Sequence, residues 1–243
     1  MRIDLEKMVS RLKRDRIANL SAIGFVENNP IAEVVEAGGS LLIKGTSDVE
    51  WCYLICDGVK QFRMLLEKAG GSNDNFASVE DHLVPVITEN RKPELILAAM
   101  RFYLPDSAEI PENRIAVVPL PAIHAKFVIA QSNYKQFLTR AYLEDRLKRS
   151  FSAAVFVKGK LAAWGLTHDD GALGVLHVPE EYRGKGYGKE ILISLIHQSR
   201  KLGKLPFAQI EEKNFAATAL AERLGFVKDR RVNWIKLGNS GRT

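Results

Sequence analysis

Cysteine and histidine are scarce in this sequence, which has two cysteines and five histidines in 243 residues. Cys52 and Cys56 lie four positions apart in the segment WCYLIC. On a strand, that spacing places both side chains on one face and too far apart for a disulfide. The histidines are scattered and no Cys/His cluster has the spacing of metal ligands, so we expect no metal. We predict two buried, reduced thiols in a cytoplasmic protein.

Long apolar runs are also lacking. No segment reaches the roughly 20 apolar residues that cross a bilayer, so we expect no membrane association. The N-terminal stretch MRIDLEKMVSRLKRDR is charged throughout, unlike the apolar segment of a secretory signal. Leu5, Met8, Val9 and Leu12 instead mark one face of a first helix.

The charge has no long block of one sign. The formal net charge is +6 and the isoelectric point is near 9.3. The basic runs KRDR (13–16) and RLKR (146–149) lie on helix-like segments, where a solvated face is the ordinary interpretation. No zinc-finger or RNP-type motif accompanies them, so we predict no nucleic-acid partner. A mild positive excess also suits a small polyanionic ligand.

The N-terminal half has the pattern of a small α/β domain. We predict a hairpin turning at Gly38-Gly39, a strand WCYLIC ending at Asp57-Gly58, and a helix over 59–69. GGSNDN and PDSAEIPEN are loops, and a further helical stretch and the apolar segment ELILAAMRFYL lie between them. Pro119 and Pro121 mark a boundary, which predicts domains over 1–122 and 123–243. No internal repeat is visible in the sequence.

The C-terminal half has a clearer pattern. We predict a helix over 133–149, then three strands in a meander that turns at Lys158-Gly159-Lys160 and at Asp169-Asp170-Gly171. A glycine-rich turn, a helix, the strand KLPFAQIEE, a short helix capped by Asn214 and the closing segment FVKDRRVNWIKL follow. Strand, turn, helix and strand in this order predict an α/β fold with a mixed, partly parallel central sheet flanked by helices.

The glycine-rich turn carries the most chemical information. Three glycines alternate with other residues in RGKGYGK, between an apolar strand and an amphipathic helix. Amides at a helix N-terminus bind anions, and the neighbouring Arg and Lys side chains add positive charge, so a pyrophosphate is the natural occupant. A P-loop is excluded because Glu190 stands where Ser or Thr is required, and the dinucleotide pattern G-x-G-x-x-G is absent. The pattern R-x-x-G-x-G fits, beginning at Arg183.

With the strand before it, VLHVPEEYRGKGYGKEIL resembles the acyl-CoA pyrophosphate loop of the GNAT superfamily of N-acyltransferases. NFAATALAERLGF resembles the helix after the next strand in that family, and the likeness covers about 151–237. GALGVLHVPEEYRGKGYG, GKLPF and the ending at Trp234 resemble the glycine N-acyltransferase-like branch more narrowly.

The resemblance implies transfer of an acyl group, most simply acetyl from acetyl-CoA, to a primary amine on a small molecule or a protein. It implies that the strand backbone binds the pantetheine arm and that the loop binds the pyrophosphate. The implied acyl-CoA-binding residues are Leu176, His177, Val178, Arg183, Gly184, Lys185, Gly186, Tyr187, Gly188, Lys189, Asn214 and Ala217. Asn214 is equally well explained as a helix cap.

Two departures from the family leave the acid and base open. Many relatives have a Glu base at the position of Ala172 and a Tyr acid at the position of Ala221. His177 and Glu211, the latter through water, are the candidate catalytic residues. His168, Asp169 and Asp170 are expected to form a solvated hairpin tip, and Trp164 and Trp234 are expected in the core rather than in an acceptor site.

Three functions therefore compete. The first is an acyl-CoA-dependent N-acyltransferase. The second is a non-catalytic acyl-CoA-binding sensor or scaffold, which the two alanines favour. The third is a basic nucleic-acid-associated protein, whose binding would fall steeply with salt. The sequence leaves a homodimer open.

Overall fold

The computed structural model describes residues 4–132 and 138–238. The described chain divides into two units by its internal contacts. Unit 1 takes the described residues within Met1–Arg101, Ile210–Lys213 and Lys228–Thr243, and unit 2 those within Phe102–Gln209 and Asn214–Val227. The domain boundary near residue 122 stays a prediction.

Helices and strands alternate along the chain in an α/β order. The helices are α1 (Leu5–Leu12), α2 (Leu20–Asn28), α3 (Val59–Lys68), α4 (Val84–Thr88), α5 (Ala125–Gln131), α6 (Arg140–Arg149), α7 (Tyr187–Lys201) and α8 (Phe215–Arg223). The strands are β1 (Ile31–Ala37), β2 (Ser40–Thr46), β3 (Glu50–Ile55), β4 (Asn75–Glu80), β5 (Pro93–Tyr103), β6 (Ser152–Val157), β7 (Lys160–Thr167), β8 (Leu173–His177), β9 (Phe207–Ile210) and β10 (Val227–Leu237).

The strands of unit 1 lie in the order β1-β2-β3-β4-β10-β5. β1 and β2 form the predicted hairpin, with Ala37 opposite Ser40 across Gly38-Gly39. The β3–β4 pair is parallel and the β10–β4 pair is antiparallel, so the sheet is mixed as predicted. Its core includes Phe25, Ile43 and Tyr53, all at most 2% exposed.

The sequence pattern did not predict two elements of unit 1, helix α2 and strand β4. Helix α2 covers LSAIGFVEN, and seven consecutive residues of it, Leu20 to Val26, are buried. A helix that is buried on all sides has no polar face, so its 3.6-residue period is weak. Strand β4 was missed because it is short and carries polar residues at both ends.

Unit 2 contains the predicted meander, with β6, β7 and β8 in antiparallel order. Its first turn has Lys158 and Gly159 at φ +49° and +75°, as a two-residue hairpin turn requires. One face of β7 contacts α7, because a side chain at Gly165 would meet Ile191 and Leu195. The other face forms a core with α5 and α6 that contains Trp164, Leu166, Val128 and Leu143.

The helix predicted over 133–149 begins later. Residues 133–137 lie outside the described residues, and α6 starts at Arg140 after Thr139, whose hydroxyl accepts from the amide of Tyr142 at 3.1 Å. A capped start of this kind satisfies one of the free amides of the first turn.

The order of elements is repeated along the chain, although no repeat is visible in the sequence. The order helix, helix, three strands, helix, strand, helix, strand occurs from α1 to β5 and again from α5 to β10. The first nine elements are called the first half below, and the second nine the second half. The absence of a sequence repeat was therefore a poor guide to the topology.

Candidate functional site

The glycine-rich turn forms the connection between β8 and α7, over residues 178–186. Gly184 and Gly186 have φ +74° and +83°, a backbone region that residues with a side chain rarely adopt. A side chain built at either position would meet no atom within 4 Å, so open space lies in front of both. The glycines therefore set the shape of the loop and leave its outer surface clear.

The first turn of α7 starts directly at this loop. The amides of Lys189 and Glu190 donate to the carbonyl of Gly186, at 3.0 and 3.2 Å. The amides of residues 184–188 precede these first helical bonds, at the positive end of a 15-residue helix. This arrangement has the chemistry of an anion site.

Basic side chains surround the turn. Arg183 Nε donates to the carbonyl of Val178 at 3.1 Å, and Lys185 Nζ donates to the carbonyl of Glu181 at 2.9 Å. Lys185 also lies over the ring of Tyr182, 5.5 Å from its centre. Both cations are thus tethered to the loop itself, and Lys189 is exposed beside them.

Gly188 has a different role from the other two glycines. A side chain there would lie 3.4 to 3.7 Å from Val178, Leu176 and Leu220, which is ordinary van der Waals contact. Residue 188 therefore lies where α7, the end of β8 and α8 pack together. Its contribution is close packing rather than an unusual backbone conformation.

Strand β8 is interrupted in its middle. Trp164 pairs with His177 and Leu166 with Gly174, so β8 contains one residue more than β7 between these pairs. Val175 lies inside this bulge and has φ +47°, a left-handed conformation that is rare for a β-branched residue. Among the described strands β8 pairs with β7 alone, so its other edge offers backbone groups to an added extended chain.

His177 is the last residue of β8 and is partly buried. Its ring stacks on Trp164, with 4.8 Å between centres and 26° between planes. Burial lowers the pKa of His177 from the ordinary 6.5, and the positive charge of Arg183 lowers it further. The imidazole is therefore neutral at pH 7 and able to accept a proton.

The remaining predicted residues lie beyond β9. Glu211 is partly buried and belongs to unit 1, whereas His177 belongs to unit 2. Asn214 caps α8, because its Oδ1 accepts from the amide of Ala217 at 3.2 Å. The cap explains Asn214 locally. A contact of Asn214 or Ala217 with acyl-CoA stays a prediction.

The β7–β8 turn is not the solvated tip that the sequence suggested. Asp169 is 4% exposed and Asp170 is fully buried. Asp170 accepts from the amide of Ala172 at 3.0 Å and from Gln209 Nε2 at 2.8 Å. The prediction was wrong because Gln209, distant in sequence, provides the hydrogen bond that permits burial.

His168 lies in the same buried turn. Its Nδ1 is 3.3 Å from the hydroxyl of Tyr142, which donates to Asp169 at 3.4 Å. A side chain at Gly174 would collide with the His168 ring at 2.3 Å. Burial lowers the pKa of His168 and raises the pKa of the Tyr142 hydroxyl.

The two positions at which many relatives have the acid and the base are buried alanines in this chain. Ala172 and Ala221 are each 1% exposed.

Trp164 is in the core of unit 2, as predicted, and Trp234 packs beside Trp51 and Tyr53 in unit 1. Cys52 is buried and Cys56 partly buried, and both are free thiols. Burial raises the pKa of Cys52 to about 12 and that of Cys56 to about 11.

Sequence reasoning missed the exposed apolar residues of the segment before α6. Ile123 is 87% exposed and Phe127 is 41% exposed. The Phe127 ring meets Trp164 edge-on at 5.7 Å between centres. No local pattern marks Phe127, since only the fold brings it to Trp164.

Across 4–132 and 138–238, no helix has the length and apolarity to cross a bilayer, and no three His, Cys, Asp or Glu side chains cluster as metal ligands.

Comparisons with known proteins agree with this geometry. Residues 155–235, about a third of the chain, match the model of the family described as FR47-like protein. This segment contains the end of β6, strands β7 and β8, the glycine-rich turn and α7. A comparison with curated protein sequences found no match.

Solved structures share the fold. A structural-genomics protein from Drosophila is 20% identical at a TM-score of 0.71, with 83% of this chain and 75% of that chain covered. A GCN5-related N-acetyltransferase from Kribbella flavida is 13% identical at a TM-score of 0.61, with 92% of this chain and 95% of that chain covered. A GCN5-related N-acetyltransferase-like protein from Streptococcus suis is 16% identical at 0.54, covering 95% and 100%. The chain therefore has the mixed α/β fold of GNAT acetyltransferase structures.

Proposed function

We propose that the protein is an acyl-CoA-dependent N-acyltransferase that transfers an acyl group, most simply acetyl, to a primary amine. The observation that carries the proposal is the start of α7. Two left-handed glycines there open a cationic helix N-terminus beside the unpaired edge of β8. The match of 155–235 to the FR47-like model and the shared GNAT fold support it.

Each part of the site has a distinct task in this proposal. The amides of 184–188, with Arg183, Lys185 and Lys189, bind the pyrophosphate. The free edge of β8 at Leu176 and Val178 pairs with the pantetheine arm as an added strand would. The first turn of α8, with Asn214 and Ala217, contacts the arm from the facing side.

The chemical step is direct acyl transfer. The amine nitrogen forms a bond to the thioester carbon, the C–S bond breaks, and the sulfur leaves with its electron pair. An amide of β8 stabilises the developing oxyanion. His177 accepts the proton that the nitrogen loses, and that proton finally reaches the thiolate. Glu211 acting through water is the alternative base.

The narrower assignment to the glycine N-acyltransferase-like branch rests on sequence likeness over GALGVLHVPEEYRGKGYG and GKLPF. Ala172 departs from that branch at the position of the common base. We therefore propose the branch for the acyl-CoA half of the reaction, and leave glycine as one acceptor to be tested.

A non-catalytic acyl-CoA sensor is the second candidate. The specific observation in its favour is that Ala172 and Ala221 are buried, so neither the usual base nor the usual acid is present and solvent does not fill their places. A sensor would bind acyl-CoA without releasing free thiol when amines are added.

The first experiment measures the melting temperature with acetyl-CoA, CoA, longer acyl-CoAs, ATP and NADPH. A ligand at a hundred times its Kd stabilises by about 2.7 kcal/mol, which gives a clear shift. We expect shifts with CoA compounds alone, followed by thiol release with an amine. Shifts without thiol release for any amine would support the sensor, and no shift with CoA compounds would refute both.

A matched pair of variants tests the loop assignment. Gly186→Val and Gly203→Val both place a side chain at a left-handed residue in open space, at opposite ends of α7. Both variants carry similar backbone strain. Only Gly186→Val should lose the acetyl-CoA shift, and equal losses in the two variants would overturn the pyrophosphate assignment.

A further inference from the structure

The surface beside His177 is aromatic and apolar. Trp164, at 1% exposure, stacks on the ring of His177 and meets the ring of Phe127 edge-on. We call Phe127, Trp164 and His177 the aromatic stack. Phe127 is 41% exposed, and Ile123, four residues before it in the chain, is 87% exposed, so this segment presents apolar surface to solvent. Exposed large apolar side chains next to a reactive group are typical of a ligand surface.

The charged side chain that acts on His177 is the cation of Arg183. Arg183 folds back onto the carbonyl of Val178, the residue after His177. Among the residues that the structure describes, no carboxylate forms a hydrogen bond or ion pair with His177. Asp170, on the preceding turn, is fully buried and hydrogen-bonded to Ala172 and Gln209. A cationic ammonium group that approaches His177 would therefore be repelled by Arg183.

The absence of a carboxylate base at position 172 also favours an acceptor amine that is uncharged at neutral pH. A lysine-type amine has a pKa of about 10.4 and must lose a proton before it can attack. An amine bonded directly to an aromatic ring is uncharged at neutral pH, because its lone pair is delocalised into the ring. Such an amine needs a proton acceptor only as the N–C bond forms. A neutral His177 suits this role, which a carboxylate has in many relatives at the position of Ala172.

We propose that the acceptor is a weakly basic amine carried on a flat apolar group, an arylamine, which lies on Phe127 and Ile123 with its nitrogen toward His177. This inference rests on the proposed function and specifies its acceptor. The nitrogen forms the N–C bond, the C–S bond breaks, and the proton passes through His177 to the leaving thiolate. The aromatic stack supplies apolar contact to a flat ring, and the cation of Arg183 near His177 opposes a charged amine.

The test compares acceptors of matched shape. Thiol release is measured at pH 7.5 with acetyl-CoA and three amines: aniline, benzylamine, which is cationic, and a linear aliphatic diamine. We expect the highest kcat/KM for aniline. Preferential use of benzylamine or the diamine would overturn the proposal.

Variants then locate the acceptor surface. Phe127→Ala and Ile123→Ser should each lower kcat/KM for aniline, about tenfold for Phe127→Ala, mainly through KM. Leu202→Ala, at a residue 61% exposed after the end of α7, is the matched control and should change nothing. Since Ile123 is almost fully exposed, Ile123→Ser keeps the test valid if Phe127→Ala fails to fold.

The acetyl-CoA melting shift is recorded for every variant and separates the two proposals. A retained shift with unchanged aniline kinetics in Phe127→Ala and Ile123→Ser would overturn the arylamine assignment alone. A retained shift with no turnover of any amine would also overturn it and favour the sensor. No acetyl-CoA shift in the unmodified protein would refute the proposed function itself.

Discussion

The two halves of the chain have the same element order but differ where the third strand leads into the next helix. In the first half, β3 and α3 are joined by residues 56–58, and Gly58 before the helix is extended at φ 179°. In the second half, β8 and α7 are joined by residues 178–186, and Gly186 before the helix is left-handed at φ +83°. The second connection is therefore the longer one and enters its helix through a left-handed glycine, whereas the first is short and extended.

The third strand of each half, β3 in the first and β8 in the second, differs in its pairing as well. β3 keeps an unbroken register with β2 and pairs in parallel with β4 at Cys52 and Tyr53. β8 has a bulge and, within the described residues, no second partner. An identical order of elements therefore leaves the third strand paired on both sides in one half and with a free edge in the other. The bulge and the long loop, rather than the topology, create the candidate site.

Unit 1, which includes β5 of the first half and most of β10 of the second half, contains an interaction suited to stability. Arg101, 2% exposed, donates from Nε to Asp229 at 2.7 Å and from its NH2 group to the carbonyls of Ile17 and Ala18. These residues all lie in unit 1. A buried cation with three partners constrains β5, β10 and the segment before α2. We therefore expect mutations at this ion pair to change stability, and mutations at the β8–α7 connection and at His177 to change binding or catalysis.

The largest effect should come from His177 in the second half. His177→Ala removes the proposed base and should lower kcat by about 10² to 10⁴ while the acetyl-CoA melting shift remains. Steady-state thiol release checks this, with His82→Ala, an exposed histidine of unit 1, as the control. A near-normal kcat would transfer the role of base to Glu211 and water.

The largest effect on stability should come from Asp229 in unit 1. Asp229→Ala leaves Arg101 buried without its counter-charge and should lower the unfolding free energy by about 3 to 5 kcal/mol. Urea denaturation measures the change. Glu89→Ala, which breaks the exposed pair with Arg63, should cost less than about 1 kcal/mol. Equal costs would mean that the buried pair adds nothing beyond an exposed one.

Acid should weaken the folded state through the buried turn of the second half. The pKa of His168 is lowered by burial, so the unfolded chain binds its proton first as pH falls below the ordinary 6.5. Stability is therefore present above about pH 6.5 and lost below it, by up to about 1.4 kcal/mol per pH unit for one histidine. His177 adds in the same direction. Urea midpoints between pH 5 and 7.5 should have a shallower slope for His168→Gln, and an unchanged slope would contradict this account.

The smallest effect is expected at the counterpart glycine of the first half. Gly58 is extended, and a side chain there would meet only Gln61 Oε1 at 3.5 Å. Gly58→Ala should change the unfolding free energy by less than about 1 kcal/mol and leave the acetyl-CoA shift intact. A lost shift would show that the first half takes part in acyl-CoA binding.

Local chemistry made much of the second half predictable from sequence. Apolar runs separated by turn residues predicted the meander, and Asn214 predicted the cap of α8. The failures share a cause, which is burial that depends on distant residues. Helix α2 lost its polar face because it is surrounded by core, and Asp170 is buried because Gln209 hydrogen-bonds it.

The sequence by itself determined the glycine-rich turn, its cations and the α/β order, because these depend on residue types that are adjacent along the chain. Tertiary structure alone decided that β8 keeps a free edge, that His177 stacks on Trp164, and that Phe127 lies beside them. Strand pairing and ring contacts join residues far apart in sequence. Their energies depend on which surfaces the whole fold buries, and no local pattern encodes that choice.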